Sequence, residues 1–342
     1  MLKRQWHSKH PFRAGVVVGL AALALAACGE DLDDATSDDA DAAADEADDD
    51  AADDDAAGDA TGDDREGWPD TITYGVLPAE DADTLAARYE PFEEYMAACL
   101  DHDVELFTGT SYTAMLEAMR TGSIDIAKFG PFAYILGNER SDAQAFVQGV
   151  NDASVPTYKS YIVTLESSGF ESVADLEGES FAFVDPGSAS GHLFPRAFMV
   201  DELGITNDEI EDVLGEIVFA GDHDAVGISV LNGDVAAGAL SDTTWLSLQD
   251  AFADHENMDE FVILTETADI PRSPEALRGD LPQSFKDEAE RCFLEASDQP
   301  ELTEFLESHR YHDGFVSVDD AAYDVVRDTA SALGMSPDDL LE

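Results

Sequence analysis

From residue 71 onward, short apolar runs alternate with longer segments in which apolar residues recur every three or four positions. The first pattern predicts buried strands and the second predicts amphipathic helices. In the segment 112–120, for example, Tyr112, Met115, Leu116 and Met119 fall on one helical face. The regular alternation predicts an α/β fold. The predicted strands are 71–76, 104–107, 124–129, 158–165, 180–184, 216–219, 236–240 and 261–266, and the predicted helices are 82–99, 112–120, 131–138, 191–203, 225–232, 243–253 and most of the chain from 282 on.

The order of these elements predicts two lobes joined by two chain crossings. One set of strands and helices precedes the long strand 158–165, a second set follows it, and the chain returns late. We expect the crossings near residues 163–166 and 264–267. The predicted boundaries are 68–164 for the first part of lobe 1, 165–265 for lobe 2, and 266–342 for the return to lobe 1 with C-terminal helices. Each lobe then has the size of an ordinary domain.

The N-terminal segment has the composition of an export signal. Four basic residues precede an apolar or small-residue run at 14–27, which is too short to span a bilayer. The run ends in Leu-Ala-Ala-Cys, which resembles the lipobox of bacterial lipoproteins. We therefore expect a signal peptide at 1–27 and a lipidated Cys28. An ordinary secretory signal followed by an incidental cysteine is the alternative.

Residues 28–67 read as an acidic, disordered tether. Between residues 29 and 67 there are 19 acidic residues, one basic residue and one large apolar residue, Leu32. Such a segment cannot bury enough surface to offset the entropy of ordering, and its like charges keep it extended. We expect it to connect the membrane anchor to the folded part.

The charge of the chain restricts its partners. The formal net charge is −59, from 17 basic and 76 acidic residues. A basic nucleic-acid-binding surface is therefore excluded. Self-repulsion of so acidic a surface destabilises a compact fold, and at about 1 M salt the screening length falls to about 3 Å. We therefore hypothesise a halophilic, salt-adapted protein.

Two cysteines remain besides Cys28. Cys99 and Cys292 form an even pair in a chain with an export signal, where a disulfide can persist. Two buried free thiols are the alternative, and the sequence leaves both open.

Three strand-to-helix junctions are rich in hydrogen-bond donors, at 109–112, 129–132 and 185–192. In open α/β sheets, ligands bind beyond the carboxyl ends of strands, where helix N-termini point. The third junction is the strongest, because it offers free backbone N–H groups, Ser188 and Ser190, and the positive end of a helix dipole before Gly191. A capped helix with a polar turn is the alternative interpretation, as it is for Tyr112 on its apolar face and for His223 beside a helix start.

Catalytic motifs are scarce. Residues 187–191 lack the serine of a nucleophile elbow because the central residue is Ala189, and no P-loop, dinucleotide fingerprint or HExxH motif occurs. His309, His312 and Asp313 could hold a metal, although exposed histidines at a helix end are the simpler interpretation. We expect no enzymatic activity, no metal and no cofactor. A phosphoester hydrolase is the weakest hypothesis.

At these junctions the sequence resembles the phosphonate- and phosphite-type substrate-binding proteins of ABC transporters. The similarity runs in order from residue 71 to residue 327. The matching stretches are 74–78, 109–112, 117–120, 125–127, 129–131, Tyr158 with Ser160, 183–186, Ser188, 190–191, Gly221, 223–224, 270–271 and 320–323.

The resemblance implies a two-lobed type II periplasmic-binding-protein fold that closes on its ligand about a hinge. It also implies that Tyr112 and Tyr158 face three residues of lobe 2, Ser188, Ser190 and His223. With the backbone at Ala189 and Gly191, these side chains would hold phosphorus-bound oxygens. Residue 189 is usually threonine in the family, so Ala189 lacks one hydroxyl donor.

A second departure concerns the organic part of the ligand. Family members that bind aminoalkylphosphonates place acidic side chains around the ammonium group, and those places fall at Thr244 and Ser273 in this sequence. Phosphate, phosphite or a simple alkylphosphonate is therefore the expected ligand. A shift of two residues in the alignment would instead put Asp242 at the first of these places.

The resemblance implies an extracytoplasmic solute-binding lipoprotein, which we expect to be a monomer. It would deliver its ligand to the permease of an ABC importer. A membrane-tethered sensor or interaction module of the same fold, which signals its ligand state to a membrane partner, is the alternative, because fold alone does not separate the two.

Overall fold

The computed structural model describes residues 65–77, 82–151 and 155–335, with the backbone alone for residues 82–84. The predicted signal peptide, Cys28 and most of the predicted tether lie outside the described residues. The end of that tether differs from the prediction. Arg65 forms an ion pair of 3.0 Å with Asp101, and its carbonyl group accepts a hydrogen bond of 3.1 Å from the Trp68 amide. The folded part therefore begins before Trp68.

The elements alternate as the sequence pattern predicts. The strands are β1 Thr71–Val76, β2 Asp103–Thr108, β3 Ile126–Lys128, β4 Gln144–Gly149, β5 Thr157–Tyr158, β6 Ser160–Leu165, β7 Phe181–Phe183, β8 Ile217–Phe219, β9 Ala237–Ser241, β10 Phe261–Glu266, β11 Ile270–Pro271, β12 Pro274–Leu277 and β13 Phe315–Ser317. The helices are α1 Ala82–Leu100, α2 Tyr112–Arg120, α3 Pro131–Ser141, α4 Phe194–Leu203, α5 Ile210–Val213, α6 His223–Leu231, α7 Asp242–Ala251, α8 Gln283–Glu295, α9 Thr303–Ser308 and α10 Asp324–Ala332.

Lobe 1 is built on a six-stranded mixed sheet in the order β13-β4-β12-β3-β1-β2. Strands β1, β2 and β3 run parallel, whereas β12 is antiparallel to both β3 and β4. Apolar clusters cover both faces of the sheet, one with α1, α8 and α9 and the other with α2, α3 and α10. The sequence pattern predicts neither β4, β12 nor β13, which form half of this sheet.

Lobe 2 is built on a five-stranded sheet in the order β10-β6-β9-β7-β8. Its central strands are buried on both faces by two further apolar clusters, as the parallel strands of an α/β layer require. One of these clusters contains α6 and α7, which begin at the carboxyl ends of β8 and β9.

The two chain crossings lie before β6 and after β10, largely outside the residues predicted for them. Strand β5 pairs with β11 in a separate two-stranded sheet, between the last strand of lobe 1 and the first of lobe 2. Residues 163–166 and 264–267 were the predicted crossings, but most of them belong to β6 and β10, which pair along their length inside lobe 2. Residue Lys159 separates β5 from β6, so the predicted strand 158–165 is interrupted there.

Cys99 and Cys292 are joined by a disulfide bond, which settles the alternative that the sequence left open. The bond ties the end of α1 to α8 within lobe 1. The Tyr95 hydroxyl group donates a hydrogen bond of 2.7 Å to the Cys292 carbonyl beside it. Across the described ranges, no helix is both long and apolar enough to cross a membrane.

Candidate ligand-binding site

A cavity of about 310 Å³ lies between the lobes, where the elements that follow the parallel strands meet. Its wall brings together six of the seven residues that the sequence analysis singles out. They come from α2, from the crossing strand β5, from the start of the helix after β7, and from the start of α6. They are Tyr112, Tyr158, Ser188, Ala189, Ser190 and His223.

The lobe 2 side of the cavity is the beginning of a helix. After β7 the chain turns at Asp185, whose carboxylate accepts a hydrogen bond of 2.8 Å from the Gly187 amide. A π-helical turn, Ala189–Leu193, then leads into α4. The N–H groups of the first helical residues have no acceptor within a helix, so Ala189 and Ser190 offer backbone donors at the cavity wall. Ser188 and Ser190 are each only 1% exposed.

Gly191 was expected to contact the ligand through its backbone, but the structure gives it another role. It is not among the residues that line the cavity, and its amide donates a hydrogen bond of 3.0 Å to the Ser188 hydroxyl oxygen. A Cβ atom at this position would lie 2.3 Å from the Val184 side chain. Gly191 therefore allows close packing of the helix on its strand, and Ser188 caps that helix while its hydroxyl hydrogen remains available to a ligand.

Two tyrosines face this helix start. The Tyr112 ring lies against Gly130, where an added Cβ would come within 3.0 Å of it. Burial raises the pKa of Tyr112 to about 12, although a hydrogen bond with the Ser188 side chain acts in the opposite direction. Burial likewise raises the pKa of Tyr158, against a hydrogen bond with Ser190. Both side chains therefore stay neutral phenols that can donate to an anion.

His223 is held as a neutral donor. Its Nδ1 atom accepts a hydrogen bond of 3.2 Å from the Ser241 amide. The proton of the neutral ring is therefore on Nε2, which is free to donate. Burial lowers the pKa of His223 to about 4, so the ring is uncharged at neutral pH.

Several wall residues carry no signal in the local sequence pattern. On the lobe 2 side, Ser241 caps α7 and its hydroxyl group lies 2.9 Å from the hydroxyl oxygens of both Thr243 and Thr244. Thr244 and Ser273 line the cavity. Asp242 does not line it, because its carboxylate accepts a hydrogen bond of 3.2 Å from the Lys159 amide. The structure therefore places a neutral threonine, and not the nearby aspartate, at the wall.

Three cations also line the cavity, namely Arg88 on α1, Lys128 at the end of β3 and Arg272 after β11. Lys128 lies opposite Glu275 in the β3–β12 register. The Glu275 carboxylate is 1% exposed and accepts a hydrogen bond of 2.9 Å from the Tyr74 hydroxyl group. Burial raises the pKa of Glu275 to about 7, although Lys128 and that hydrogen bond both lower it.

His309 is not an exposed histidine at a helix end. It is half-buried against the rings of Tyr89, Phe305 and Tyr311, and it lines the cavity. Burial, together with the nearby Lys128 charge, lowers the pKa of His309 to about 3. In the described part of the chain, no group of three or more His, Cys, Asp or Glu residues could hold a metal ion.

Known proteins are similar to this chain in sequence, and solved structures are similar to it in fold. The phosphate-import protein PhnD of Mycolicibacterium smegmatis is 32% identical over 183 residues, which are 52% of this chain and 57% of that protein. The phosphonates-binding periplasmic protein of Escherichia coli is 25% identical over 240 residues, or 69% of each chain. The match thus spans less than two thirds of the mycobacterial protein.

A solved structure of PhnD1 from Prochlorococcus marinus in complex with methylphosphonate matches with a TM-score of 0.69 and 20% identity. The match covers 78% of this chain and 99% of that one, and it confirms the predicted two-lobed type II fold. Residues 74–323 match the family of periplasmic phosphonate-binding proteins of ABC transporters. This range contains the crossings, the whole wall of the cavity and all strands of the two lobes except the first three residues of β1. The chain therefore belongs to that family of substrate-binding proteins.

Proposed function

We propose that the protein captures a small phosphorus oxyanion in the cavity between its lobes and delivers it to the permease of an ABC importer. Phosphate, phosphite and a simple alkylphosphonate are the candidate ligands. The observation that carries the proposal is the convergence of neutral donors from both lobes on one helix start. Ser188 and Ser190 lie on lobe 2, Tyr112 on lobe 1, and Tyr158 on the crossing strand.

The donors suit a charged oxygen better than a neutral one. A hydrogen bond to a charged group contributes about 1.5–3 kcal/mol, roughly twice the strength of a neutral one. The helix N-terminus adds a favourable dipole. His223 donates through Nε2, and binding of an anion beside it would favour the protonated ring. Because the donors belong to both lobes and to a crossing strand, a bound oxyanion stabilises the arrangement in which the two lobes are closed on it.

The organic substituent of the ligand meets neutral or cationic residues. By the family resemblance, the acidic side chains that hold an ammonium group correspond to Thr244 and Ser273, which both line the cavity. Asp242 does not line it, and one of its carboxylate oxygens accepts a hydrogen bond from the Lys159 amide. A buried ammonium without a counter-charge is costly. We infer that aminoalkylphosphonates bind more weakly than phosphate or methylphosphonate.

The protein acts outside the cytoplasm, as its family does. We propose that Cys28 carries a lipid anchor and that the acidic segment after it is a spacer, which lets a monomeric binding domain reach its permease. The relatives are named for import and binding, and nothing in them supports the sensor or the hydrolase alternative.

A thermal-shift screen tests the proposal. The mature domain is melted in about 2 M KCl with phosphate, phosphite, methylphosphonate, 2-aminoethylphosphonate or sulfate. A ligand at a hundred times its dissociation constant stabilises the native state by about 2.7 kcal/mol. We expect shifts with at least one of the first three compounds and smaller shifts with the last two. A folded protein whose melting temperature none of the phosphorus compounds changes would refute the proposal.

A further inference from the structure

The lobe 1 side of the cavity is a basic wall, formed by Arg88, Lys128, Tyr89, His309 and Tyr311. The Lys128 ammonium group lies 5.0 Å from the centre of the Tyr311 ring. The charges of Arg88 and Lys128 act together on both Tyr89 and His309, so the two cations belong to one cluster. This wall is separate from the helix start at residues 185–193 of lobe 2, whose own sequence includes no Lys or Arg. The third cation of the cavity, Arg272, follows β11.

The positive charge of this wall is unusual in so acidic a chain. The net charge is −59, yet no Asp or Glu is among the described residues that line the cavity. Asp222 and Asp224 line an adjoining cavity of about 440 Å³, which shares Arg88 with the first cavity but not Lys128. Lys128 is half-buried, lies opposite Glu275 in the sheet register and reaches the cavity wall.

The cavity is also larger than a single oxyanion needs. A cavity needs about 10–15 Å³ of accessible volume to hold one water, so 310 Å³ exceeds what a single oxyanion of five non-hydrogen atoms requires. The remaining volume leaves room for a short substituent on the oxyanion, and that substituent would extend toward the basic wall.

We propose that the basic wall binds a second anionic group on the ligand, so that the preferred substrates are phosphonates with a short acidic substituent, such as carboxymethylphosphonate. The inference deepens the proposed function and rests on it. The phosphonate group occupies the helix start at Ser188 and Ser190, and the carboxylate lies against Lys128 and Arg88.

The Glu275 carboxylate would compete with a ligand carboxylate for interaction with the Lys128 ammonium group. It lies behind Lys128 on the neighbouring strand and is fully buried, whereas Lys128 reaches the cavity. A ligand carboxylate would add a second partner on the open side. Removing the Glu275 charge should therefore strengthen binding of a ligand carboxylate, and removing the Lys128 charge should weaken it.

The first test compares ligands of similar size by calorimetry in about 2 M KCl. The series is methylphosphonate, ethylphosphonate, 2-aminoethylphosphonate and carboxymethylphosphonate. We expect carboxymethylphosphonate to bind at least about tenfold more tightly than ethylphosphonate, since it adds one charge-assisted contact. The aminoethyl compound should bind most weakly. Equal affinities for the ethyl and carboxymethyl compounds would overturn the inference alone, whereas no binding of this series and none of phosphate or phosphite would overturn the proposed function as well.

The second test measures the ratio of the affinities for carboxymethylphosphonate and methylphosphonate in variants. Lys128→Met should lower this ratio about tenfold or more, and Arg88→Gln should lower it less. Because Lys128→Met leaves Glu275 buried without its counter-charge, Lys128→Met/Glu275→Gln is the matched neutral pair. Glu275→Gln alone should raise the ratio. Equal losses for both ligands in the neutral pair would show that Lys128 holds the phosphonate group itself, and the inference would be wrong.

Discussion

Ser188 and Ser190 differ in what their hydroxyl groups do, and alanine at each position should separate binding from stability. The Ser188 hydroxyl oxygen caps the helix by accepting the Gly191 amide at 3.0 Å. Losing such a cap costs about 1 kcal/mol of stability, or about 2–4 °C in melting temperature for a domain of this size. Ser190 instead accepts through its carbonyl group, from the Ser160 hydroxyl at 2.5 Å, and alanine keeps that contact.

Each substitution should also remove one donor to the bound oxyanion. The expected loss is about 1.5–3 kcal/mol, roughly ten- to a hundredfold in affinity. Calorimetric titration with phosphate and methylphosphonate measures this loss, and melting without ligand measures the stability. We expect Ser188→Ala to lower both quantities. Ser190→Ala should lower affinity with a smaller loss of stability, through the lost contact with the Tyr158 hydroxyl group.

Ser172→Ala is the matched control, because Ser172 caps the turn Val173–Leu176 by accepting the Ala174 amide at 3.3 Å, on an exposed surface of lobe 2. It should lower the melting temperature slightly and leave affinity unchanged. If Ser190→Ala is folded and binds every phosphorus oxyanion as tightly as the parent, the helix after β7 is not the binding helix.

Four further outcomes are expected. Cys28→Ser should release the protein from membranes without loss of binding, and attachment that survives carbonate extraction would contradict the lipid anchor. The melting temperature should rise between low salt and about 2 M KCl because screening relieves the acidic surface, and a flat profile would argue against salt adaptation. Replacing both Cys99 and Cys292 with serine should cost about 2–5 kcal/mol, measured by denaturant unfolding, and an unchanged midpoint would show that the bond is dispensable. Burial raises the pKa of Glu275 from 4.5 to about 7. Because the folded state holds this proton more tightly, the parent protein loses stability as pH rises through that range. The stability of Glu275→Gln relative to the parent should therefore be higher at pH 8 than at pH 5, by up to about 3 kcal/mol. An equal effect of the substitution at both pH values would refute this.

Local patterns predicted the elements whose own residues determine them. The bounds of β1, α2 and β10 agree with the sequence prediction, since each is a complete apolar run or stripe between turn residues. The sequence Pro-Glu-Ala-Leu of β12 gives no strand signal. It becomes a strand because β3 and β4 pair with it on both sides, and such long-range pairing is invisible in a local window.

In the candidate site, too, features set by local sequence could be predicted and features set by long-range pairing could not. The helix start at Ser188 could be predicted from a strand, a turn and small polar residues in order, because that pattern is local. The role of Tyr158 was implied by the family resemblance and by no local signal. Lys128 lies within the predicted strand 124–129, and nothing local marks it as a cavity residue, because its buried partner Glu275 is far along the chain and meets it only in the sheet register.

The strand order of lobe 1 determines when that lobe can form during synthesis. Strand β12 lies between β3 and β4, and the disulfide spans 193 positions. A chain that emerges N-terminus first therefore exposes β1, β2 and β3 with an open edge while the whole of lobe 2, which is continuous in sequence, folds behind them. Lobe 1 closes only when residues 274–277 arrive, and the bond to Cys99 follows once residue 292 is available. Insertion of β12, with its long loop-closure distance, is accordingly the step that should limit folding.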